Sequence, residues 1–325
     1  MLIVNFLLLI VGFGALIKGA DLFVDGSSGL AENFKVPKVI IGLTIVAMGT
    51  SAPELAVSTS AALQGANEIA LSNVVGSNIF NLLCVLGICA VIHPVPVEKI
   101  ILKRDIPFSI GITVTLLLLT CFFTLTHGTW LGEKMDAIVG NTGRPVGIVL
   151  LLIFCIYIIY LIMDARKKGE DTGENELMPL WKCALLILVG LALIIGGGQA
   201  VVYGAKYIAQ FFGMSETLIG LTIVAVGTSL PELVTSVVAA GKGETGLAVG
   251  NVVGSNIFNI LFILGVSSAI HPIGVNVASV YDMIILIGIS VLVLLFSLRG
   301  RVINRVEGVV MILIYVADIV FAVLR

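Results

Sequence analysis

The stretch IGLTIVAMGTSAPEL, residues 41–55, returns as IGLTIVAVGTSLPEL at residues 219–233. A second block, NVVGSNIFN, stands unchanged at residues 73–81 and 251–259. One offset of 178 residues relates both blocks, and at that offset residues 41–94 align with 219–272 without a gap, 33 of the 54 positions being identical. Both aligned stretches close on His-Pro, at His93-Pro94 and His271-Pro272. An internal duplication therefore sets the architecture.

Composition places the duplicated unit in lipid. Of 325 residues, 58% are hydrophobic and 12% charged, with a mean hydropathy of +1.15. A soluble domain carries about twice that share of charge, so most of the exterior has to face hydrocarbon. A net charge of −2 offers no basic face to replace the counterions of a nucleic acid, and no protein partner is called for. Runs of about 20 mostly apolar residues predict spans at 2–24, 39–63, 69–92, 106–124, 145–163, 183–203, 217–241, 247–270, 281–298 and 304–323. The first run lacks the positive leader and cleavage site of a secretory signal and reads as a span. The fold class predicted is an all-α membrane protein of ten transmembrane helices in two five-helix repeats, residues 1–163 and 183–325, joined by a hydrophilic linker at 164–182. Five spans per half is an odd number, so the second half crosses the membrane in the opposite sense. Inverted repeats of this kind build secondary transporters, with the substrate held near the midplane.

Thirteen Lys and Arg fall in the loops after odd-numbered spans or the linker, and four on the opposite side. The positive-inside rule puts the first group in the cytoplasm and both termini outside a multi-pass protein of the plasma membrane. The five cysteines, Cys84, Cys89, Cys121, Cys155 and Cys183, lie in or beside apolar runs without CxxC spacing and read as small hydrophobic residues.

The spans at 39–63, 69–92, 217–241 and 247–270 are rich in Gly, Ser, Thr and Asn, which marks helices facing protein or water. Within Gly49-Thr50-Ser51-Ala52-Pro53-Glu54, Pro53 has no N–H and clashes with the carbonyl of Gly49, so the helix opens and frees carbonyl oxygens around Ala47 to Thr50. Irregular backbone at membrane depth is tolerated only against protein or water. Thr50 and Glu54 share a helix face with Ala47 and Ser58, flanked by Ser51, and the next span offers Ser77 and Asn81. The second half repeats the set as Thr228, Ser229, Glu232 and Ser236 around Pro231, with Ser255 and Asn259. All are oxygen ligands, which suits Na⁺, Ca²⁺ or Mg²⁺ over Zn²⁺ or copper. Two carboxylates with hydroxyls and carbonyls reach the six to eight oxygens Ca²⁺ takes, whereas Mg²⁺ holds its waters too tightly. Elsewhere, His93 and His271 beside Pro end their helices. Asp21 and Asp25, which have no acidic counterparts, are candidates for an access path. The glycines Gly12, Gly14, Gly19, Gly196, Gly197 and Gly198 would let the first and sixth spans pack closely, and residues 130–144 look like an insertion.

At these motifs the sequence resembles the calcium/cation antiporter superfamily, in particular the prokaryotic sodium/calcium exchangers. GTS-x-PE with GSN-x-x-N, present twice at one offset, carries the resemblance over essentially the whole chain. The Asn-Glu-centred motif usual in proton/calcium exchangers is absent from the sequence. The resemblance implies ions held between the second, third, seventh and eighth spans. Its ligands would be Thr50, Ser51, Glu54, Ser77, Asn81, Thr228, Ser229, Glu232, Ser255 and Asn259 with the carbonyls of Ala47 and Ala225. It also implies first and sixth helices that slide to alternate access. Some members carry Asp where this chain has Asn81 or Asn259.

The function expected is antiport of Na⁺ for Ca²⁺ at one shared site. The transported ions are then substrates, and no organic cofactor and no enzyme chemistry are needed. An H⁺- or K⁺-coupled antiporter of the same build is the near alternative and a cation channel the distant one. A membrane-embedded enzyme lacks a nucleophile–base pair beside the glutamates.

Overall fold

The computed structural model describes residues 2–64, 67–128, 130, 133–167, 177–214 and 225–324. Eight helices among them are long and apolar enough to cross a membrane: α1 (Leu2–Phe34), α4 (Ile69–Ile92), α5 (Ile101–Phe122), α6 (Arg144–Arg166), α7 (Leu180–Phe211), α10 (Thr245–Ile270), α11 (Val277–Leu298) and α12 (Arg305–Leu324). A ninth span is the bent pair α2 (Lys38–Thr50) and α3 (Ala52–Leu63). The seventh expected span appears as α8 (Ala225–Thr228) and α9 (Leu230–Gly241). Its first part, like residues 168–176 of the expected linker and residues 131–132 of the expected insertion, lies outside the described residues.

Two boundaries move substantially from expectation. α1 and α7 run to 33 and 32 residues, or about 50 Å at 1.5 Å per residue, longer than the hydrocarbon core they cross. The expected spans, 2–24 and 183–203, stop short of the polar stretch Asp25 to Ser28 and of Lys206, but in a helix already nucleated, isolated Ser, Gly, Asp and Lys cost too little to stop it. The two helices pack along each other at glycines: a Cβ on Gly190 would sit 2.7 Å from the Gly19 carbonyl, and one on Gly197 2.7 Å from that of Gly12. Gly14 and Gly196, grouped with them in the sequence reading, would meet no described atom within 4 Å.

Burial orders the remaining helices. In its most apolar window α10 is 94% buried and α4 72%, against 22% for α1 and 17% for α12. The polar third and eighth spans thus form the centre, and the greasiest helices face lipid, as the bilayer demands. α2 and α3 pack on α10, and α9 packs on both α4 and α10. Gly42 and Gly250 meet at the α2–α10 crossing, where a Cβ on Gly250 would lie 2.6 Å from the Val39 carbonyl.

Four short strands stitch the halves. β1 (Val95–Pro96) pairs antiparallel with β4 (Val302–Ile303), and β2 (Ile138–Thr142) with β3 (Ile273–Asn276). β1 and β3 each follow a His-Pro pair. The histidines are extended, with φ −140° at both, and end their helices as expected. The segment read as an insertion therefore holds β2, the partner of β3.

Candidate cation-binding site

Each half brings a broken helix to the centre. Between α2 and α3 the chain bends by 49°, with Ser51 at φ −80°, ψ 11° and proline in the first turn that follows. Ser229 repeats this between α8 and α9, at φ −92°, ψ 7°. Proline ends the incoming hydrogen-bond ladder and starts the next helix well, since its missing N–H is unused in a first turn. Both α4 and α10 loosen into a π-helical turn, at Asn81–Val85 and Asn259–Ile263. Such turns displace a side chain from the regular helix face and are frequent at functional sites.

The glutamates that follow the breaks are fully buried, and each is held by the serine of the other half. Ser51 donates to Glu232 Oε1 at 2.7 Å, and Ser229 to Glu54 Oε1 at 2.9 Å. Ser229 Oγ also lies 3.1 Å from Ser77 Oγ. The Ala47 carbonyl accepts the Ser51 N–H at 3.1 Å, with the hydroxyls of Thr50 and Ser255 at 3.4 and 3.5 Å. Thr228 is buried at the end of α8, and Ala225 begins that helix. The cluster thus holds two hydrogen-bonded sets, Ser51 with Glu232 and Ser229 with Glu54 and Ser77, and Thr50, Ser255 and Ala47 lie beside the first along α2 and α10.

What distinguishes the cluster is its unpaired atoms. Glu54 Oε2, Glu232 Oε2, Asn81 Oδ1 and Asn259 Oδ1 are buried and accept no hydrogen bond among the described residues. The other buried side-chain atoms without a partner are hydroxyls, which carry a proton of their own to place. These four are acceptors only, and no cationic side chain pairs with either glutamate among the described residues. A buried polar atom left without a partner costs about 1–3 kcal/mol, more if charged. Four at matched positions fit a bound cation. No group of three or more His, Cys, Asp or Glu side chains placed to hold a metal occurs among the described residues, so the negative charge at this centre comes from two glutamates.

Other acids have protein partners. Asp105, buried near the start of α5, takes two bonds from Arg104 at 2.8 and 3.0 Å and one from Tyr157 at 3.0 Å. Asp21 and Asp25, read as lining an access path, bind Lys242 Nζ at 2.5 and 2.6 Å and so tie α1 to the end of α9. The counterpart positions are Gln199, Tyr203 and Gln64, so the other half has no such tie.

Four asparagines absent from the expected site support it. Asn73 donates to Ser58 Oγ at 3.0 Å, and Asn251 to Ser236 Oγ at 2.9 Å. Thr50 donates to Asn251 Oδ1 at 3.0 Å. Asn78 and Asn256 bond across the halves, to each other's backbone and to Asn259 and Asn81. Their signal lay in the NVVGSNIFN block, where three asparagines per copy stand in helices too buried to hydrate them.

A family model described as sodium/calcium exchanger protein matches residues 4–163 and 182–324. This chain belongs to the sodium/calcium exchanger family. Among its relatives, the sodium/calcium exchanger MaX1 of Methanosarcina acetivorans is 36% identical over 98% of this chain and 99% of its own length. The inner membrane protein YrbG of Escherichia coli is 34% identical over 82% of this chain and 79% of its own. Among solved structures, that of the sodium-calcium exchanger NCX_Mj soaked with Na⁺ and Sr²⁺ matches with a TM-score of 0.83 and 31% identity. The match covers 98% of this chain and 99% of that one. Members of the exchanger family are transporters, and this one is a multi-pass membrane protein.

Proposed function

We propose that the chain is an antiporter that exchanges Na⁺ for Ca²⁺ across the cell membrane at the site between α2–α3, α4, α8–α9 and α10. One observation carries the reading: four buried acceptor oxygens at matched positions, two from each half and two of them carboxylate, have no donor among the described residues. The ligands are the side-chain oxygens of Thr50, Ser51, Glu54, Ser77, Asn81, Thr228, Ser229, Glu232, Ser255 and Asn259 with the carbonyls of Ala47 and Ala225. Two carboxylates balance one Ca²⁺, and the oxygen count suits its flexible cage. Na⁺ competes for the same carboxylates, so one ion has to leave before the other binds, and that competition is the coupling. The names of MaX1 and NCX_Mj support the same ion pair. The test is Ca²⁺ uptake into proteoliposomes under Na⁺, H⁺ and K⁺ gradients imposed one at a time, with uptake expected to follow the Na⁺ gradient.

α1 packs closely against α9, whereas α7 packs far more sparsely against α3, the equivalent helix. With the termini outside, as the lysine and arginine distribution supports, α9 and Lys242 lie on the cytoplasmic side. The arrangement then closes the site toward the cytoplasm. The orientation predicts that, on a cysteine-free background, an impermeant thiol reagent labels Lys134→Cys in intact cells and Lys99→Cys only after permeabilisation. The reverse pattern would invert the assignment.

A further inference from the structure

Asn78 and Asn256 occupy equivalent positions in the two halves and bond each other reciprocally. Asn78 Nδ2 donates to the backbone carbonyl of Asn256 at 3.1 Å, and Asn256 Nδ2 to that of Asn78 at 3.2 Å. Equivalent residues that bond each other straddle the pseudo-twofold axis, so this pair marks the axis in the middle of the protein. Both side chains are buried, Asn78 fully and Asn256 to within 1%.

The reciprocal bonds settle which way four amides point. A backbone carbonyl only accepts, so the atom Asn78 turns to Asn256 has to be its nitrogen. Its oxygen then faces Asn259, 3.0 Å from Asn259 Nδ2, and only a donor can stand there. Asn259 is thereby forced to present its nitrogen to Asn78 and its oxygen away from it. The same chain of bonds runs from Asn256 Oδ1 to Asn81 Nδ2 at 3.2 Å. The oxygens left over, Asn259 Oδ1 and Asn81 Oδ1, are two of the four buried acceptors without a partner. Turning any of these amides by 180° would set oxygen against oxygen or nitrogen against nitrogen.

We infer that Asn78 and Asn256 are positioning residues that aim the carbonyl oxygens of Asn259 and Asn81 at the transported cation, each acting on the asparagine of the opposite half. The inference rests on the exchange reading, since it assigns those two oxygens to the ion. Without Asn78 the Asn259 amide is free to offer its N–H₂, a donor that repels a cation. The pattern is crossed because each clamp uses the partner's backbone. Truncating Asn78 removes the hold on Asn259 but keeps the Asn78 carbonyl, and with it the Asn256–Asn81 arm.

The experiment is a set of double-mutant cycles on the purified full-length protein, reading Ca²⁺ affinity by calorimetry and thermal stability alongside. Asn78→Ala is expected to weaken Ca²⁺ binding roughly tenfold, the lower end for a residue that orients a metal ligand. On an Asn259→Ala background it should weaken binding no further, because no carbonyl remains to be aimed. On an Asn81→Ala background the full loss should return. Asn256→Ala should mirror this, silent with Asn81→Ala and active with Asn259→Ala, and decides the matter if Asn78→Ala fails to fold. Equal losses on both backgrounds, or unchanged affinity with lowered stability, would overturn the inference, as would loss of folding by both clamp variants. A native protein that binds no Ca²⁺ would overturn the exchange reading with it, whereas an additive cycle in a protein that binds Ca²⁺ overturns the clamp alone.

Discussion

In Na⁺-loaded proteoliposomes the double variant Glu54→Gln, Glu232→Gln takes up no Ca²⁺ above the rate of empty vesicles, while the protein remains folded. Both carboxylates are fully buried, and each keeps one oxygen bonded to a serine of the other half. Glutamine retains an acceptor for that bond, so the packing survives. What it removes is the negative charge that balances a divalent ion in a low-dielectric site, where an unbalanced charge costs several kcal/mol. Thermal unfolding separates this from misfolding. Ligand at a hundred times its dissociation constant stabilises a protein by about 2.7 kcal/mol. The double variant should lose this Ca²⁺-dependent stabilisation and keep, or exceed, the ion-free stability of the native chain, because two uncompensated buried charges are gone. Ca²⁺-dependent stabilisation persisting in the double variant would place the ion elsewhere.

The second large effect is steric. Gly254→Val should abolish Ca²⁺ binding and destabilise the protein by about 3 kcal/mol, the upper part of the range for overpacking. A Cβ at Gly254 would lie 2.7 Å from Leu43 Cα, 2.8 Å from the Leu43 carbonyl and 2.9 Å from Ala47 Cβ. Two of those atoms are α2 backbone, so α2 itself would have to retreat. The Ala47 carbonyl would go with it, away from Ser255 and the cluster around Glu232. Gly288→Ala on α11, where a Cβ meets no described atom within 4 Å, is the control and should be near neutral. Binding and unfolding measured on both variants check the contrast; a Gly254→Val protein with native affinity would show that α2 and α10 need not approach closely.

The sequence made the large features legible because each had a physical signature that survives without coordinates. The 178-residue offset needs only identity, and the spans need only hydropathy. Pro53 and Pro231 forecast breaks that occur at Ser51 and Ser229. The first and sixth spans were cut short because hydropathy falls at polar residues that the helix itself tolerates. The strands of two to five residues were invisible, since pairing across the halves makes them and no local pattern does.

Within the site, helical spacing placed Ser77 with Asn81 along α4. The shared face expected for Thr50 and Glu54 is interrupted, since the 49° break at Ser51 puts Thr50 at the end of α2 and Glu54 on α3. Spacing was silent on contacts between halves. Nothing in the motif says that Ser51 reaches Glu232 and not Glu54. Asn78 stands beside Ser77 and off its face, so spacing alone left it out. Only the fold shows that this second face of α4 meets α10 at the axis. Asp21 and Asp25 were ambiguous for a related reason: their partner, Lys242, is 217 residues from Asp25.

The central claim, that Na⁺ and Ca²⁺ share one site and are thereby exchanged, is tested most directly by Ca²⁺ uptake into proteoliposomes holding the native protein. Uptake should require an outward Na⁺ gradient, stop when external Na⁺ equals internal Na⁺, and be indifferent to imposed pH or K⁺ gradients. Uptake that runs at equal Na⁺ on both sides and follows a pH or K⁺ gradient, or that appears as unitary channel currents, would contradict the account.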